Sequence, residues 1–186
     1  EVNMTFSEYV KAHTNTYGLD LTDTQIDQLQ RFYEQVVTTN EHMNLTGITE
    51  PEEFALKHVV DSLSCYDPKY FTKGATVIDL GTGAGFPGVP LGIYDPSLQI
   101  TLFDSLQKRL RFLDGVIEDL DLQGLQTLHG RAEDLAHQEY RESFDLLTSR
   151  AVARLSILLE WGLPYVKVGG YMVEIKGSIV QEELEE

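Results

Sequence analysis

Val77-Ile-Asp-Leu-Gly-Thr-Gly-Ala-Gly-Phe-Pro-Gly88 is the stretch that decides how this chain is read. A short β-forming run, Val77-Ile-Asp-Leu80, ends in glycines at 81, 83, 85 and 88. Glycine accepts the left-handed backbone that a sharp turn needs and carries no side chain to hold a ligand away. A short helix is expected next, near Val89–Tyr94. The spacing Gly83-x-Gly85-x-x-Gly88 formally matches the dinucleotide fingerprint, a weak signal alone. A strand-turn-helix corner whose glycines serve only packing would show the same letters.

Working outward, the rhythm of strand and helix continues. Ile100–Asp104, Leu125–His129, Phe144–Thr148 and Tyr171–Ile175 read as further strands. Ser105 is placed to cap a helix carrying Leu110, Leu113, Ile117 and Leu120, and another helix is expected from Leu155 to Leu163. Such alternation implies an α/β fold, a mostly parallel sheet with helices on both faces. In that architecture ligands sit at the carboxyl ends of the strands. Two acids end successive strands there, Asp79 and Asp104. A carboxylate beside the glycine turn would repel a pyrophosphate. It suits S-adenosylmethionine, which has no phosphate and carries an ammonium and a sulfonium. Asp104 is placed to accept hydrogen bonds from two ribose hydroxyls, a role that fits either cofactor.

Residues 1–64 read as a helical extension packed on a core domain of residues 65–186. Thr5 with Glu8 and Thr22 with Gln25 fit the capping box. After the second, Ile26, Leu29, Tyr33, Val36 and Val37 make one apolar helical face. A third box, Thr49 with Glu52, would open a helix through about Leu63, with Pro51 in its first turn. No run is long and apolar enough to cross a bilayer, and no secretion signal is visible at the start. One cysteine, Cys65, excludes an internal disulfide framework. A cytoplasmic protein without a membrane or obligate protein partner is expected. The net charge of −16 argues against a nucleic-acid partner unless a local basic patch exists. Half of the basic residues fall between Lys108 and Arg154.

Four segments together resemble the glucose-inhibited division protein B family, the bacterial small-subunit ribosomal RNA methyltransferases. They are Asn40-Glu-His-Met-Asn-Leu-Thr46, His58-Val-Val-Asp-Ser-Leu63, Asp79–Gly88 with its Gly-Phe-Pro-Gly ending, and Ser149-Arg-Ala151. The resemblance covers about Thr22 to Gly177. It implies a class I S-adenosylmethionine-dependent methyltransferase fold and methyl transfer to N7 of a guanine in 16S rRNA, with S-adenosylhomocysteine as product and rRNA or the small ribosomal subunit as partner. It further implies that Gly81 and Phe86 line the cofactor, that Ala132 and Glu133 flank its adenine, and that Arg150 lies between cofactor and RNA. Gly83, Gly85, Asp79 and Asp104 complete the expected cofactor site. Class I members usually end in two more strands, the last antiparallel. Here Gln181–Glu186 follow soon after the fifth strand, so a truncated chain or a lost hairpin is expected.

Guanine N7 carries a free lone pair, so the reaction needs alignment rather than a base. Arg150 is the residue expected to act at the acceptor, since O6 and N7 are both hydrogen-bond acceptors. Lys108, Arg109 and Arg131 are candidate RNA contacts. Lys108, Arg109 and Arg111 could equally form a solvated helix face, and Arg131 could pair with Glu133 or Asp134. His58, Asp61 and Ser62 share one helical ridge, which suits a hydrogen-bonded cluster docking the N-terminal helices better than a hydrolase triad. No metal-ligand spacing is present, and Trp161, Tyr165 and Tyr171 read as packing. Three other functions compete: methylation of a small molecule or protein, RNA binding without turnover, and dinucleotide-dependent redox chemistry.

Overall fold

The structure, a computed structural model, describes residues 3–135, 138–150 and 155–175. Five parallel strands form one sheet in the order β3-β2-β1-β4-β5. They are β1 (Thr76–Leu80), β2 (Gln99–Asp104), β3 (Leu125–His129), β4 (Phe144–Arg150) and β5 (Val166–Ile175). The chain reverses its direction of travel across the sheet between β1 and β4, so the crevice at the carboxyl end of β1 lies at the switch point. Every β1 residue but Thr76 is buried, as expected of a central strand covered on both faces.

Side chains alternate between two cores. Val77, Ile100, Leu102 and Leu146 face the larger one. It also holds Leu29, Phe32 and Val36 of α2 (Asp23–Asn40), Val89 and Leu91 of α5 (Gly88–Tyr94), and Leu110 and Leu113 of α6 (Gln107–Leu120). Ile78, Leu80, Phe103 and Leu147 face the smaller core, which contains Leu158 of α8 (Leu155–Gly162) and Tyr165 of the following 3-10 turn, Leu163–Tyr165. The first core also includes Phe6 and Val10 of α1 (Phe6–Thr16), so the N-terminal helices and the sheet share one apolar interior.

Local sequence explains most of these elements. Thr5 and Thr22 both form reciprocal capping boxes, with Glu8 and Gln25. Gln25 also reaches across to the sheet domain. Its Nε2 donates to the carbonyls of Ile93 and Tyr94, locking the start of α2 onto the end of α5. The apolar face of α2 is centred differently from the sequence reading. Phe32 is its most enclosed aromatic, while Tyr33 and Val37 are only half buried.

Two expected caps do not form. Glu50, not Thr49, precedes α3 (Pro51–Phe54), and no side chain caps that helix. The Thr49 carbonyl instead accepts a hydrogen bond from the Tyr33 hydroxyl. Likewise Ser105 does not cap α6. Leu106 is the N-cap residue, and the Asp104 carboxylate accepts the Leu106 N–H at 2.9 Å. After α3 the backbone widens into a π-helix over Ala55–Val60 before α4 (Asp61–Ser64). π-Turns are uncommon and concentrate at functional sites. This one carries His58. The expectations about chain beyond Ile175 lie outside the described residues. Among those described, no helix is long and apolar enough to cross a membrane.

Candidate active site

The glycine loop is held from below by Asp79. Its carboxylate is wholly enclosed and accepts three hydrogen bonds: Thr82 Oγ1 at 2.7 Å and Gly88 N–H at 2.9 Å on one oxygen, Thr148 Oγ1 at 3.0 Å on the other. One residue therefore ties β1, the loop, the start of α5 and β4 together. Burial raises its pKa to about 6, against the opposing pull of the three donors. The sequence reading puts Asp79 in contact with a cofactor; its enclosure makes it the loop's fastening instead. Gly81, Gly83 and Gly85 all have positive φ, at 67°, 59° and 107°. At Gly88 the constraint is space. A Cβ there would lie 2.3 Å from Leu102 Cδ2 and 2.7 Å from Asp79 Oδ2.

Above the loop, at the carboxyl ends of β1, β2 and β3, is a cavity of about 460 Å³. Gly81, Asp104, Ala132 and Glu133 all line it, four of the residues the sequence assigns to a cofactor. Gly83 lies beside it through its N–H, donated to Asp104 Oδ2 at 2.9 Å. A Cβ on Gly83 would meet nothing within 4 Å, so that side of the loop is open. Gly85 is turned away, facing Val89 and Leu113.

Asp104 is nearly enclosed, and each of its oxygens receives one backbone N–H. A carboxylate oxygen has two acceptor positions, so both retain capacity for a ligand hydroxyl. Ala132 opens the short helix α7 (Ala132–Leu135), and its carbonyl accepts the Tyr165 hydroxyl at 2.5 Å, which pins that wall to the smaller core. The fit to S-adenosylmethionine is good in kind: an acid for a ribose diol, apolar walls for a base, an open glycine turn for the amino-acid end.

Two cavity residues differ from their sequence reading. Arg109, a candidate RNA contact, turns back towards Asp104, with Nη1 3.7 Å from Oδ2, and lines the cavity. Trp161, expected in packing, forms part of the wall with Leu158. Of the remaining basic candidates, Arg131 is exposed at the cavity's rim, while Lys108 and Arg111 point outward from α6.

A second group of side chains lies at the end of β4. Arg150 does not line the cavity. Its Nη1 meets His58 Nδ1 at 2.7 Å, and its Nη2 donates to the Lys57 carbonyl at 2.7 Å. Its guanidinium also sits 5.7 Å above the centroid of Phe86. Phe86, expected to line the cofactor, is 5% exposed and stacks on the His58 ring at 4.2 Å and 7°. It joins an aromatic cluster with Phe32 and Phe54. His58 Nε2 reaches Thr46 Oγ1 at 2.7 Å. Asn40 Oδ1 accepts the N–H groups of Leu45 and Thr46, which fixes the loop before it. Ser62 Oγ returns its hydrogen bond to the His58 carbonyl, so Ser62 is no nucleophile. Cys65 is inert as well, because burial pushes its thiol up to about 12. Among the described residues, no group of three or more His, Cys, Asp or Glu could hold a metal ion.

Comparisons with known proteins agree with one another. A family model described as rRNA small subunit methyltransferase G matches residues 25–186. A protein named ribosomal RNA small subunit methyltransferase G from Leuconostoc mesenteroides is 48% identical over 184 residues, covering 97% of this chain and 77% of that one. Another, from Desulfitobacterium hafniense, is 50% identical over 170 residues, covering 91% and 70%. Among solved structures, a putative S-adenosylmethionine-dependent methyltransferase from Methanococcus maripaludis superposes with a TM-score of 0.58 at 15% identity, covering 89% of this chain and 70% of that one. A putative caffeoyl-CoA O-methyltransferase from Staphylococcus aureus gives 0.58 at 10% identity, covering 90% and 71%. At such low identity these two structures speak for the fold alone.

Proposed function

The chain belongs to the rRNA small subunit methyltransferase G family, and on that premise we propose that it transfers a methyl group from S-adenosylmethionine to N7 of a guanine in 16S rRNA. One observation carries the reading at the level of residues. A cavity with a ribose-type acid, Asp104, opens at the ends of β1–β3, and the fixed guanidinium of Arg150 stands at the end of β4, beyond the switch point. One subsite is built for a nucleoside and the other for an acceptor-rich group.

S-adenosylmethionine, when bound, supplies a methyl carbon made electrophilic by its sulfonium. Asp104 would accept hydrogen bonds from the two ribose hydroxyls. Ala132 and Glu133 would flank the adenine, with Trp161 closing that wall of the cavity. The open backbone from Gly81 to Gly83 would hold the amino-acid end. Arg150 donates to guanine O6, which orients the base and leaves the N7 lone pair free. No side chain has to remove a proton. In keeping with this, burial lowers the pKa of His58 to about 3, and both its nitrogens are already engaged. The protein's contribution is alignment, a source of rate worth several orders of magnitude.

RNA binding by a chain of charge −16 needs a local cationic surface. Arg131 at the rim, with Lys108 and Arg111 exposed on α6, supplies the candidates. Such a substrate implies the cytoplasm as the site of action, with the small ribosomal subunit as partner. Mapping methylated bases by mass spectrometry in 16S rRNA from a strain lacking the gene tests the proposal. A single guanine should lose one methyl group. Unchanged rRNA would refute it, and would favour a small-molecule or protein acceptor, which the acidic surface suits.

A further inference from the structure

We propose that His58 is the positioning residue for Arg150: its imidazole, fixed as a neutral ring on Phe86, holds the guanidinium at the angle from which it meets the acceptor base. The inference rests on the role assigned to Arg150 and adds to it the device that aims the side chain.

Hydrogen-bond roles settle the tautomer. An arginine can only donate, so Nδ1 of His58 must accept from Nη1 of Arg150. The ring proton then belongs to Nε2, which donates to Thr46 Oγ1. That oxygen also accepts the Ile48 N–H at 3.1 Å, so the ring is tied to a loop whose own backbone is fixed by Asn40. A protonated ring would put a second cation against Arg150 and lose the Nδ1 acceptor. Burial and the Arg150 charge both disfavour it, and the ring stays neutral throughout the physiological range.

Stacking completes the restraint. Phe86 lies flat beneath the imidazole, and the Arg150 guanidinium carbon sits 5.7 Å from the centroid of the same ring, so both groups border one aromatic side chain. The Lys57 carbonyl takes the second Nη atom. A guanidinium bonded at both Nη atoms has little rotational freedom left. The π-helical turn is what brings the His58 ring and the Lys57 carbonyl to the same arginine. This arrangement exceeds what docking of the N-terminal helices requires, because a hydrogen bond from His58 to Thr46 alone would serve that end.

Two substitutions separate positioning from docking. Asparagine at 58 sets its Oδ1 where Nδ1 was, keeping the acceptor for Arg150 and losing the donor to Thr46. Glutamine sets its amide nitrogen near Nε2, keeping the donor to Thr46 and losing the acceptor. With 30S subunits as substrate, His58→Asn should keep kcat within about tenfold of the parent. His58→Gln should lose about 100-fold, the scale of a misaimed group, with the KM for S-adenosylmethionine little moved. Equal losses, or glutamine outperforming asparagine, would overturn the inference. Arg150→Lys in the same assay separates it from its premise: undiminished turnover removes the role of Arg150 itself, whereas a loss there with equal His58 variants removes only the positioning. A measurement on the unmodified protein guards against misfolding. In ¹⁵N NMR the Nδ1 of His58 should be unprotonated and Nε2 protonated down to about pH 5, and Arg150→Lys should shift the Nδ1 resonance. The opposite tautomer would also overturn it.

Discussion

Replacing Asp104 with alanine removes two kinds of interaction at once, and their sizes can be separated. In the ligand-free protein the carboxylate accepts the N–H groups of Gly83 and Leu106, each at 2.9 Å. Alanine leaves both donors without that partner, at about 1–3 kcal/mol each, less whatever water recovers at the open side of the cavity. In the proposed complex the same carboxylate would also take two ribose hydroxyls. A hydrogen bond to a charged group is worth about 1.5–3 kcal/mol, so the pair amounts to about 3–6 kcal/mol of binding. At 1.4 kcal/mol per factor of ten, affinity should fall by about 100-fold to 10,000-fold. Isothermal calorimetry with S-adenosylhomocysteine reads this directly, and a thermal melt of the unliganded variant reports the loop contribution. Asp104→Asn should fall between the two, because its amide nitrogen must face one of the two N–H donors. An affinity for S-adenosylhomocysteine within threefold of the parent, in a variant that melts normally, would refute the assignment of Asp104 to the ribose and remove the basis for placing the nucleoside in this cavity.

Three further outcomes follow from the same geometry. Asp79 has a folded pKa of about 6 against an ordinary 3.8, so its contribution to stability is fully present below about 3.8 and is lost as pH rises through 6. Relative to Asp79→Asn, the parent should therefore gain stability as pH falls from 7 to 4, by up to about 3 kcal/mol; a pH-independent difference in denaturation midpoints would contradict this. Gly88→Ala forces a Cβ against Leu102 and Asp79 and should cost about 1–3 kcal/mol, measured by urea unfolding. Trp161 is the sole tryptophan and lines the cavity, so its emission should change on titration with S-adenosylhomocysteine; a flat signal alongside calorimetric binding would take it out of the site.

The sheet was legible because its strands are short apolar runs separated by turn residues, and burial on both faces leaves little choice of letters. Two capping boxes were legible for the same local reason. The third, at Thr49, has the right letters but a different outcome, since Tyr33 takes the Thr49 carbonyl. The π-turn was illegible: six residues, Ala55–Val60, are too few for their period to differ visibly from that of an α-helix. At the site, residue types were visible and directions were not. An acid at a strand end reads the same whether it lines a cavity, as Asp104 does, or fastens a loop from beneath, as Asp79 does. Phe86 and Trp161 exchanged roles for a similar reason. Both are aromatics beside a ligand-binding edge, and only packing tells which is held by Phe32, Phe54 and His58 and which is left on the cavity wall. The coupling of His58 to Arg150 joins positions 92 apart in the chain, a distance that no local pattern spans.

The sharpest test of the proposed chemistry is to incubate the purified chain with 30S subunits and S-adenosylmethionine tritiated on its methyl group, then digest the rRNA to nucleosides and separate them by chromatography. The label should enter 16S rRNA and elute as 7-methylguanosine, at no more than one methyl per subunit. Label in any other nucleoside, or none in the RNA, would contradict methyl transfer to guanine N7.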